Sequence, residues 1–481
     1  MAHMIETPVT TRGFLVGGKW YEEGEPVEVR SPYDQSVVGR TWVGTRKHAE
    51  QAIAAAVGAF GTTRRLPAFE RQRVLRQVAQ TIAERKTEFS RTLAAEAGKP
   101  IKAARTEVER AIFTFNVAAE ESTRIYGEFL PLDWQEFTAG RWGIVRRFPL
   151  GPIAGITPFN FPLNLVAHKV APAMACGCTM VLKPAPQTPM CSLLLAEAVQ
   201  QAGWPDGALN VLPLSNDDAS LLVTDPRLKL ISFTGSAAVG WQIKSQAGKK
   251  RVLLELGGNA GVIVHGDTDV AYAAERCVTG GFAYAGQTCI SVQRILVERP
   301  AYGMFVESLL GGVRKLKTGD PMEDSTDVGP LIRERDAVRA TEWVQEAVAG
   351  GARLLCGGRR QGSIMEPTVL TGTRPEMRVN CEEIFAPVVT VEPYDDFSAA
   401  IRQLNDSPYG LQAGVFTRDA KRIFQAYEEL EVGGVMAGEV PTFRIDNMPY
   451  GGVKDSGLGR EGLRYAMEEM TEPKLLMMNL R

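Results

Sequence analysis

Apolar residues recur at spacings of three and four over 49–60, 70–96 and 101–126, with few glycines between them, and this periodicity predicts three or four consecutive helices. Ahead of them, residues 13–43 are rich in Gly, Val, Trp and Tyr and contain turn pairs such as Gly17-Gly18, the pattern of a small antiparallel element. At Ile153 the pattern changes. Short apolar runs at 153–157, 180–183, 209–212, 230–234 and 252–255 alternate with helical stretches, which predicts a parallel sheet wound by helices. A second series follows, with strands expected at 261–264, 294–298, 388–392, 413–417 and 432–436 and helices at 269–285, 302–316, 333–349 and 424–430. The fold class is therefore α/β, with two doubly wound domains meeting near Gly257-Gly258, where the sheet pattern restarts. Residues 141–148 and the apolar tail 475–480 fit neither series and read as arm strands that pair with another subunit, since an unpaired apolar edge is a liability.

Composition narrows the class. With 481 residues, 44% hydrophobic and 23% charged, the chain has material for more than one core. A formal net charge of -2 gives no electrostatic reason to expect nucleic acid or an anionic membrane surface. Lys249-Lys250-Arg251 reads as a solvated helix end. Seven scattered cysteines are unlike a secreted disulfide framework and suit a reducing, cytoplasmic compartment. The four histidines and the lack of a Cys-x-x-Cys pair give no metal-ligand spacing, so no metal is expected; Cys176 and Cys178 sit in an apolar run and read as packing. There is no apolar stretch of membrane-spanning or signal-peptide length. Met1-Ala2-His3, before a second Met4, reads as a cloning remnant.

Four strings carry candidate chemistry. Asn160, in Thr157-Pro158-Phe159-Asn160-Phe161-Pro162 at a strand exit, is held in a stiff loop from which its amide can face a developing oxyanion; alone it is also an ordinary turn asparagine. Lys183, in Lys183-Pro184-Ala185-Pro186, ends another strand, where open parallel sheets bind ligands. Phe233-Thr234-Gly235-Ser236 runs from strand to helix, and the backbone N–H groups at Ser236 suit a diphosphate as well as they suit simple capping. The fourth group is Glu255 with Leu256 beside two glycines, Cys289 in Gly286-Gln287-Thr288-Cys289, and Glu383 and Phe385 in Glu382-Glu383-Ile384-Phe385-Ala386-Pro387. A thiol behind a polar glycine turn and a carboxylate 34 positions upstream supply a nucleophile and a base.

In this order and at these separations, the strings resemble the aldehyde dehydrogenase superfamily, and the closing run Pro449-Tyr450-Gly451-Gly452-Val453-Lys454-Asp455-Ser456-Gly457-Leu458-Gly459-Arg460-Glu461 is of the same form. The resemblance implies a Rossmann-like dinucleotide-binding domain (1–126 and 150–257), a catalytic domain (258–455) and an oligomerisation arm (127–149 and 456–481) of a homodimer or homotetramer. It also implies oxidation of an aldehyde to the acid with NAD or NADP, through a thiohemiacetal and a thioester on Cys289. Asn160 would stabilise the oxyanion, Glu255 would activate water, and Lys169 would help relay the proton. Thr157, Pro158, Phe159, Lys183, Ala185, Pro186, Gly235, Ser236, Glu255, Leu256, Glu383 and Phe385 would hold the cofactor. Many NAD-preferring relatives carry a glutamate where this chain has Pro186, so NADP is not repelled. A base at Glu255 favours hydrolysis over transfer to coenzyme A. The substrate tunnel would be lined by Asn164, Leu165, His168, Arg444 and Tyr450, and a guanidinium there suits a small polar or anionic aldehyde such as lactaldehyde, glyceraldehyde or its phosphate, or a semialdehyde; Arg444 facing outward or pairing with Asp446 is the alternative. The competing function is a cysteine-dependent ester or thioester hydrolase that needs no nucleotide.

Overall fold

The computed structural model describes residues 9–479. Met1–His3 and Leu480, named above, lie outside this range. Ile153–Ile156, Met180–Lys183, Leu209–Val211, Leu230–Thr234 and Arg251–Glu255 run parallel at the centre of an eight-stranded sheet. Their apolar runs are buried on both faces, as a sheet covered by helices on both sides requires. The sheet gains the antiparallel strands Phe14–Val16 and Lys19–Tyr21 at one edge and Gly457–Leu458 at the other. The expected small antiparallel element at 13–43 is thus two structures: that hairpin, and Glu25–Arg30 paired antiparallel with Val37–Val43, which Thr10–Thr11 joins in parallel.

The helices Arg46–Thr63, Ala68–Glu84, Lys86–Ala97 and Ile101–Ser122 precede the parallel strands. The single helix expected over 70–96 is divided at Arg85, where φ -99° and ψ 19° leave the helical region. The helix Ile101–Ser122 has a direct consequence for the site. Its Glu107 forms a buried ion pair with Lys99, and the other carboxylate oxygen accepts hydrogen bonds from the Leu163 and Asn164 amides at 3.0 and 3.1 Å. These are orphan donors at the start of the helix Asn164–Cys176, which carries several candidate residues. Removing one partner of such a pair strands a buried charge. Lys99→Met should therefore cost about 3–5 kcal/mol, read as a fall in the thermal unfolding midpoint against the parent protein.

The second sheet has seven strands in the order Arg353–Cys356, Thr368–Thr371, Val388–Tyr394, Val292–Glu298, Ala260–Val264, Gln412–Phe416 and Gly434–Ala437, all parallel except the first. Each sheet packs its own core, around Leu182, Ile231 and Leu254 in one and Val262, Ile295 and Val391 in the other. The strand Thr368–Thr371 and the helix Phe397–Asn405, capped by Asp396 accepting from the Ala399 amide, had no counterpart among the expected elements.

A third sheet consists of Thr471–Asn479, Arg141–Pro149 and Glu128–Pro131. The arm segments expected to pair with another subunit pair with each other, Leu475 opposite Val145 and Leu476 opposite Ile144. Thr471–Asn479 lies at the edge of this sheet, and among the described residues no further strand adjoins it. Leu463, Met467 and Met470, although they fall within 456–481, join the first core.

Candidate active site

The two large sheets contribute opposite ends to one cleft. From the first sheet come carboxyl ends: Thr157–Asn160 follow Ile153–Ile156, Lys183 ends its strand, Thr234–Ser236 close another, and Glu255 terminates Arg251–Glu255. From the second come amino ends, with Cys289 just before Val292–Glu298 and Glu383–Phe385 just before Val388–Tyr394. The first arrangement follows the usual rule for ligands of open parallel sheets; the second reverses it. The crossing point is Leu256-Gly257-Gly258. A Cβ on Gly257 would overlap the Glu383 carboxylate, and one on Gly258 would overlap the Cys289 carbonyl oxygen. Both glycines are needed because the other two strings approach this close.

Cys289 opens onto a cavity of about 670 Å³, lined among others by Asn160, Leu165, Ser236, Glu383, Arg444 and Tyr450. The backbone before it is unusual. Tyr284 (φ 49°) and Ala285 (φ 53°) are left-handed, as is Gly286 (φ 69°). Each non-glycine residue in this region costs of order 1 kcal/mol or more and persists only when its surroundings over-determine it. Here the Tyr284 hydroxyl donates to the Ala97 carbonyl at 2.8 Å, the Lys99 ammonium lies 4.4 Å from the ring centre, and Gln287 links the turn to Pro330 and Ile332. Phe385 is left-handed too (φ 50°), and Gly286 packs against the neighbouring Ala386 carbonyl. The strain is thus concentrated in two touching segments.

The Asn160 side-chain N–H donates to the Gln287 carbonyl at 3.0 Å, two residues before Cys289, which leaves its second N–H for an oxyanion. A donor so placed is worth about 3 kcal/mol of transition-state stabilisation. The Cys289 thiol lies 3.0 Å from the Tyr450 hydroxyl. Burial pushes the thiol up to about 12, opposed by the Tyr450 hydrogen bond and by Arg444.

Glu255 is buried, and neither carboxylate oxygen has a hydrogen-bond partner. Its Oε1 lies against Gly451, next to Tyr450, rather than on the cavity wall. Burial raises its proton affinity well above the carboxylate range; the nearby Glu461 adds to this, while Arg444, Lys169 and Arg460 oppose it. Glu461 is held low despite its own burial by Lys169, His168 and Arg444. Two carboxyl groups with opposite protonation states are the arrangement that separates acid from base. Lys169 donates to Ser232, Thr234 and Glu461 at 3.0, 2.8 and 3.1 Å. It connects the strand ends to Glu461.

The residues on the dinucleotide side fit such a cofactor. Gly235 and Ser236 line the cavity at the start of the helix Ala237–Gln246, and the Ser236 side chain makes no capping bond, so it leaves the helix's first donors to a ligand. Glu383 accepts from the Gly258 amide at 2.9 Å through one oxygen, leaving the other for a ribose hydroxyl; burial raises it to about 7. Phe159 meets Phe385 edge to face, with centres 6.0 Å apart. Thr157, Lys183, Ala185 and Pro186 are not in the cavity lining but belong to the same sheet edge, the Thr157 amide donating to the Lys183 carbonyl at 3.2 Å. Lys183 is buried, which lowers its proton affinity, and Pro186 is exposed.

On the substrate side, Asn164, Leu165, Arg444 and Tyr450 line the cavity. His168 does not. It is buried behind Arg444, receiving the guanidinium on Nδ1 at 2.9 Å and facing Asp446 through Nε2 at 2.7 Å. Arg444 is neither exposed nor paired with Asp446; it bonds Glu461 at 3.1 Å, and its guanidinium carbon lies 3.5 Å from the centre of the Tyr450 ring. Sequence reasoning missed Arg110, which lines the cavity and bonds Asp446 at 2.7 Å. It occupies a plain amphipathic helix, where a lone arginine gives no signal. Glu461 closes the run 449–461, where nothing in its neighbours signals its contacts with Lys169 and Arg444.

Fold and cleft together define an α/β enzyme built to bring a thiol to a bound dinucleotide. The chain belongs to the aldehyde dehydrogenase family, whose model matches residues 20–476. It is 43% identical to the 3-sulfolactaldehyde dehydrogenase of Priestia aryabhattai, over 98% of this chain and 99% of that one. Among solved structures, aldehyde dehydrogenase 21 from Physcomitrella patens in complex with the reaction product succinate aligns with a TM-score of 0.97 at 45% identity, covering 98% of both chains. Glyceraldehyde-3-phosphate dehydrogenase from Methanocaldococcus jannaschii complexed with NADP aligns with a TM-score of 0.91 at 38% identity, covering 95% of this chain and 99% of that one. The protein is an NAD(P)-dependent aldehyde dehydrogenase, and the nucleotide-free hydrolase reading is set aside.

Proposed function

We propose that the protein oxidises a short aldehyde bearing an anionic group, of the semialdehyde or acid-substituted lactaldehyde or glyceraldehyde type, to the corresponding acid. The observation that carries this reading is the pair of guanidinium groups, Arg444 and Arg110, on the wall of the cavity that holds Cys289. The Arg444 Nε is buried without a partner, so a carboxylate, sulfonate or phosphate oxygen would satisfy it. The names of the relatives above agree in kind: a sulfonated lactaldehyde, a succinate product and a phosphorylated glyceraldehyde. Loss of a charge-assisted hydrogen bond of this sort is worth about 1.5–3 kcal/mol. Arg110→Leu should lower kcat/KM for succinic semialdehyde by roughly 10- to 100-fold, mainly through KM, and change that for neutral short aldehydes far less; Arg444→Leu, which also removes a cation beside Cys289, should slow both classes, the anionic one by roughly that factor more. Equal losses on both classes would rule out the clamp.

In the reaction, the Cys289 thiolate adds to the aldehyde carbon while Asn160 donates to the oxygen. A nicotinamide held beside Glu383 and Phe385 would supply the acceptor for the hydride that leaves that carbon. Glu255 then takes a proton from water as the oxygen attacks the thioester, and the carbon–sulfur bond breaks to return the thiolate. Lys169 and Glu461 would carry that proton away from Glu255. Ser236 would hold the diphosphate, Glu383 the nicotinamide ribose and Lys183 the adenosine ribose. With Pro186 in place of an acid, either NAD or NADP is accommodated.

The division into a cofactor domain (1–126 and 150–257), a catalytic domain (258–455) and an arm belongs to the same proposal, with the strand Thr471–Asn479 as the arm's C-terminal part. Assembly as a homodimer or homotetramer is supported by the edge strands Thr471–Asn479 and Gly434–Ala437, which no further strand adjoins among the described residues. Leu475, Leu476 and Met477 on the first are 50% or more exposed. The seven cysteines, all free, suit a cytoplasmic location. Among the described residues no helix is long and apolar enough to cross a membrane.

A further inference from the structure

Tyr450 does more than line the cavity. Its backbone is locked to Glu461 by reciprocal hydrogen bonds, amide to carbonyl at 3.0 Å and the reverse at 2.6 Å. Its ring packs with Ile290 and Leu411 against Cys289, and the Arg444 guanidinium covers one face at 3.5 Å. The hydroxyl, held by this frame, lies 3.0 Å from the sulfur. With a neutral thiol either atom can donate. With a thiolate only the phenol can, because the sulfur has become a pure acceptor.

We infer that Tyr450 is a catalytic residue whose hydroxyl donates to the Cys289 thiolate and, with the Arg444 cation on its ring, lowers the cost of forming the nucleophile before the aldehyde arrives. The need for such a group follows from the rest of the pocket. The titratable groups facing the sulfur are Arg444 from the loop before Tyr450, Glu255 from the end of Arg251–Glu255 and Glu383 from the turn before Val388–Tyr394. Of these only Arg444 favours the anion; burial opposes it, and so does either glutamate when ionised. Asn160 is aimed at the carbonyl oxygen and Glu255 is turned toward Gly451, so neither holds the sulfur. A cation over the ring also strengthens the phenol as a donor. The bond is made in the resting enzyme and is lost as the sulfur becomes a thioether on attack. Its effect is therefore on how much thiolate is present, and hence on the pH at which the enzyme works.

The inference rests on Cys289 being the nucleophile, and its test reads the thiol without aldehyde or nucleotide. The pH dependence of iodoacetamide alkylation at Cys289, followed by peptide mass mapping, is compared between the parent protein and Tyr450→Phe, which keeps the ring under Arg444. A hydrogen bond to a charged group corresponds to a rise in the alkylation midpoint of about one to two pH units. Fluorotyrosine at position 450, a stronger donor of nearly the same shape, should move the midpoint the other way and serves if the phenylalanine variant does not fold. A midpoint shift below about one unit in Tyr450→Phe would show the residue to be only a wall. If Cys289→Ala still oxidises aldehydes, the failure lies with the nucleophile and not with Tyr450.

Discussion

Cys289→Ala should lower aldehyde oxidation by about 10,000-fold or more, as removal of a covalent nucleophile does in enzymes that depend on one. The expectation comes from the cleft. Cys176, Cys178, Cys191 and Cys277 are fully buried in packing and do not line the cavity. Cys356 and Cys381 are partly exposed but lie outside the cavity. No other sulfur can replace Cys289. The variant should bind NADP as the parent does, because the proposed diphosphate and ribose contacts come from Ser236, Lys183 and Glu383. Equilibrium binding by fluorescence titration, alongside steady-state rates, measures both. A variant that has lost binding as well would mean that the strained turn Tyr284–Gly286, not the sulfur alone, had been disturbed.

Glu255→Gln should separate the two halves of the reaction. Steady-state turnover is expected to fall by about 100- to 10,000-fold, the range of a positioned general base, while the first turnover still produces one equivalent of reduced cofactor per site. The amide fills the same volume and cannot take a proton from water, so the thioester accumulates. Stopped-flow absorbance gives the burst and the slow phase together. The parent enzyme's turnover should rise with pH, because Glu255 is held protonated by burial and by Glu461 and becomes a base only on losing that proton. In Glu255→Gln the slow phase should lose that dependence. A variant with no burst would place Glu255 in the first half-reaction.

Much of this arrangement was legible in the chain because local chemistry and fold agree there. The strands Met180–Lys183 and Leu230–Thr234 are bounded by their apolar runs; the first ends in Lys183 and the second leads directly into Gly235 and Ser236, all proposed for the cofactor. The Gly257-Gly258 pair marked the restart of the sheet pattern, and its glycines prove to be required by tertiary approach. What the sequence could not carry is what depends on long-range packing. Nothing near Arg444 in sequence indicates that it lies on the Tyr450 ring and bonds His168, 276 positions away. Arg110 and Asp446, which are 336 positions apart, meet only in the folded cleft. The arm strands were recognised as apolar outliers, but their pairing with each other is set by register that no local signal encodes.

The central claim is that an acyl group passes through the Cys289 sulfur on its way to water, and intact-protein mass spectrometry of Glu255→Gln tests it most directly. Mixed with succinic semialdehyde and oxidised cofactor and quenched in acid, the protein should carry one succinyl mass, mapped to the peptide containing Cys289. An unmodified protein after a full burst of reduced cofactor, or the same adduct on another residue, would contradict the account.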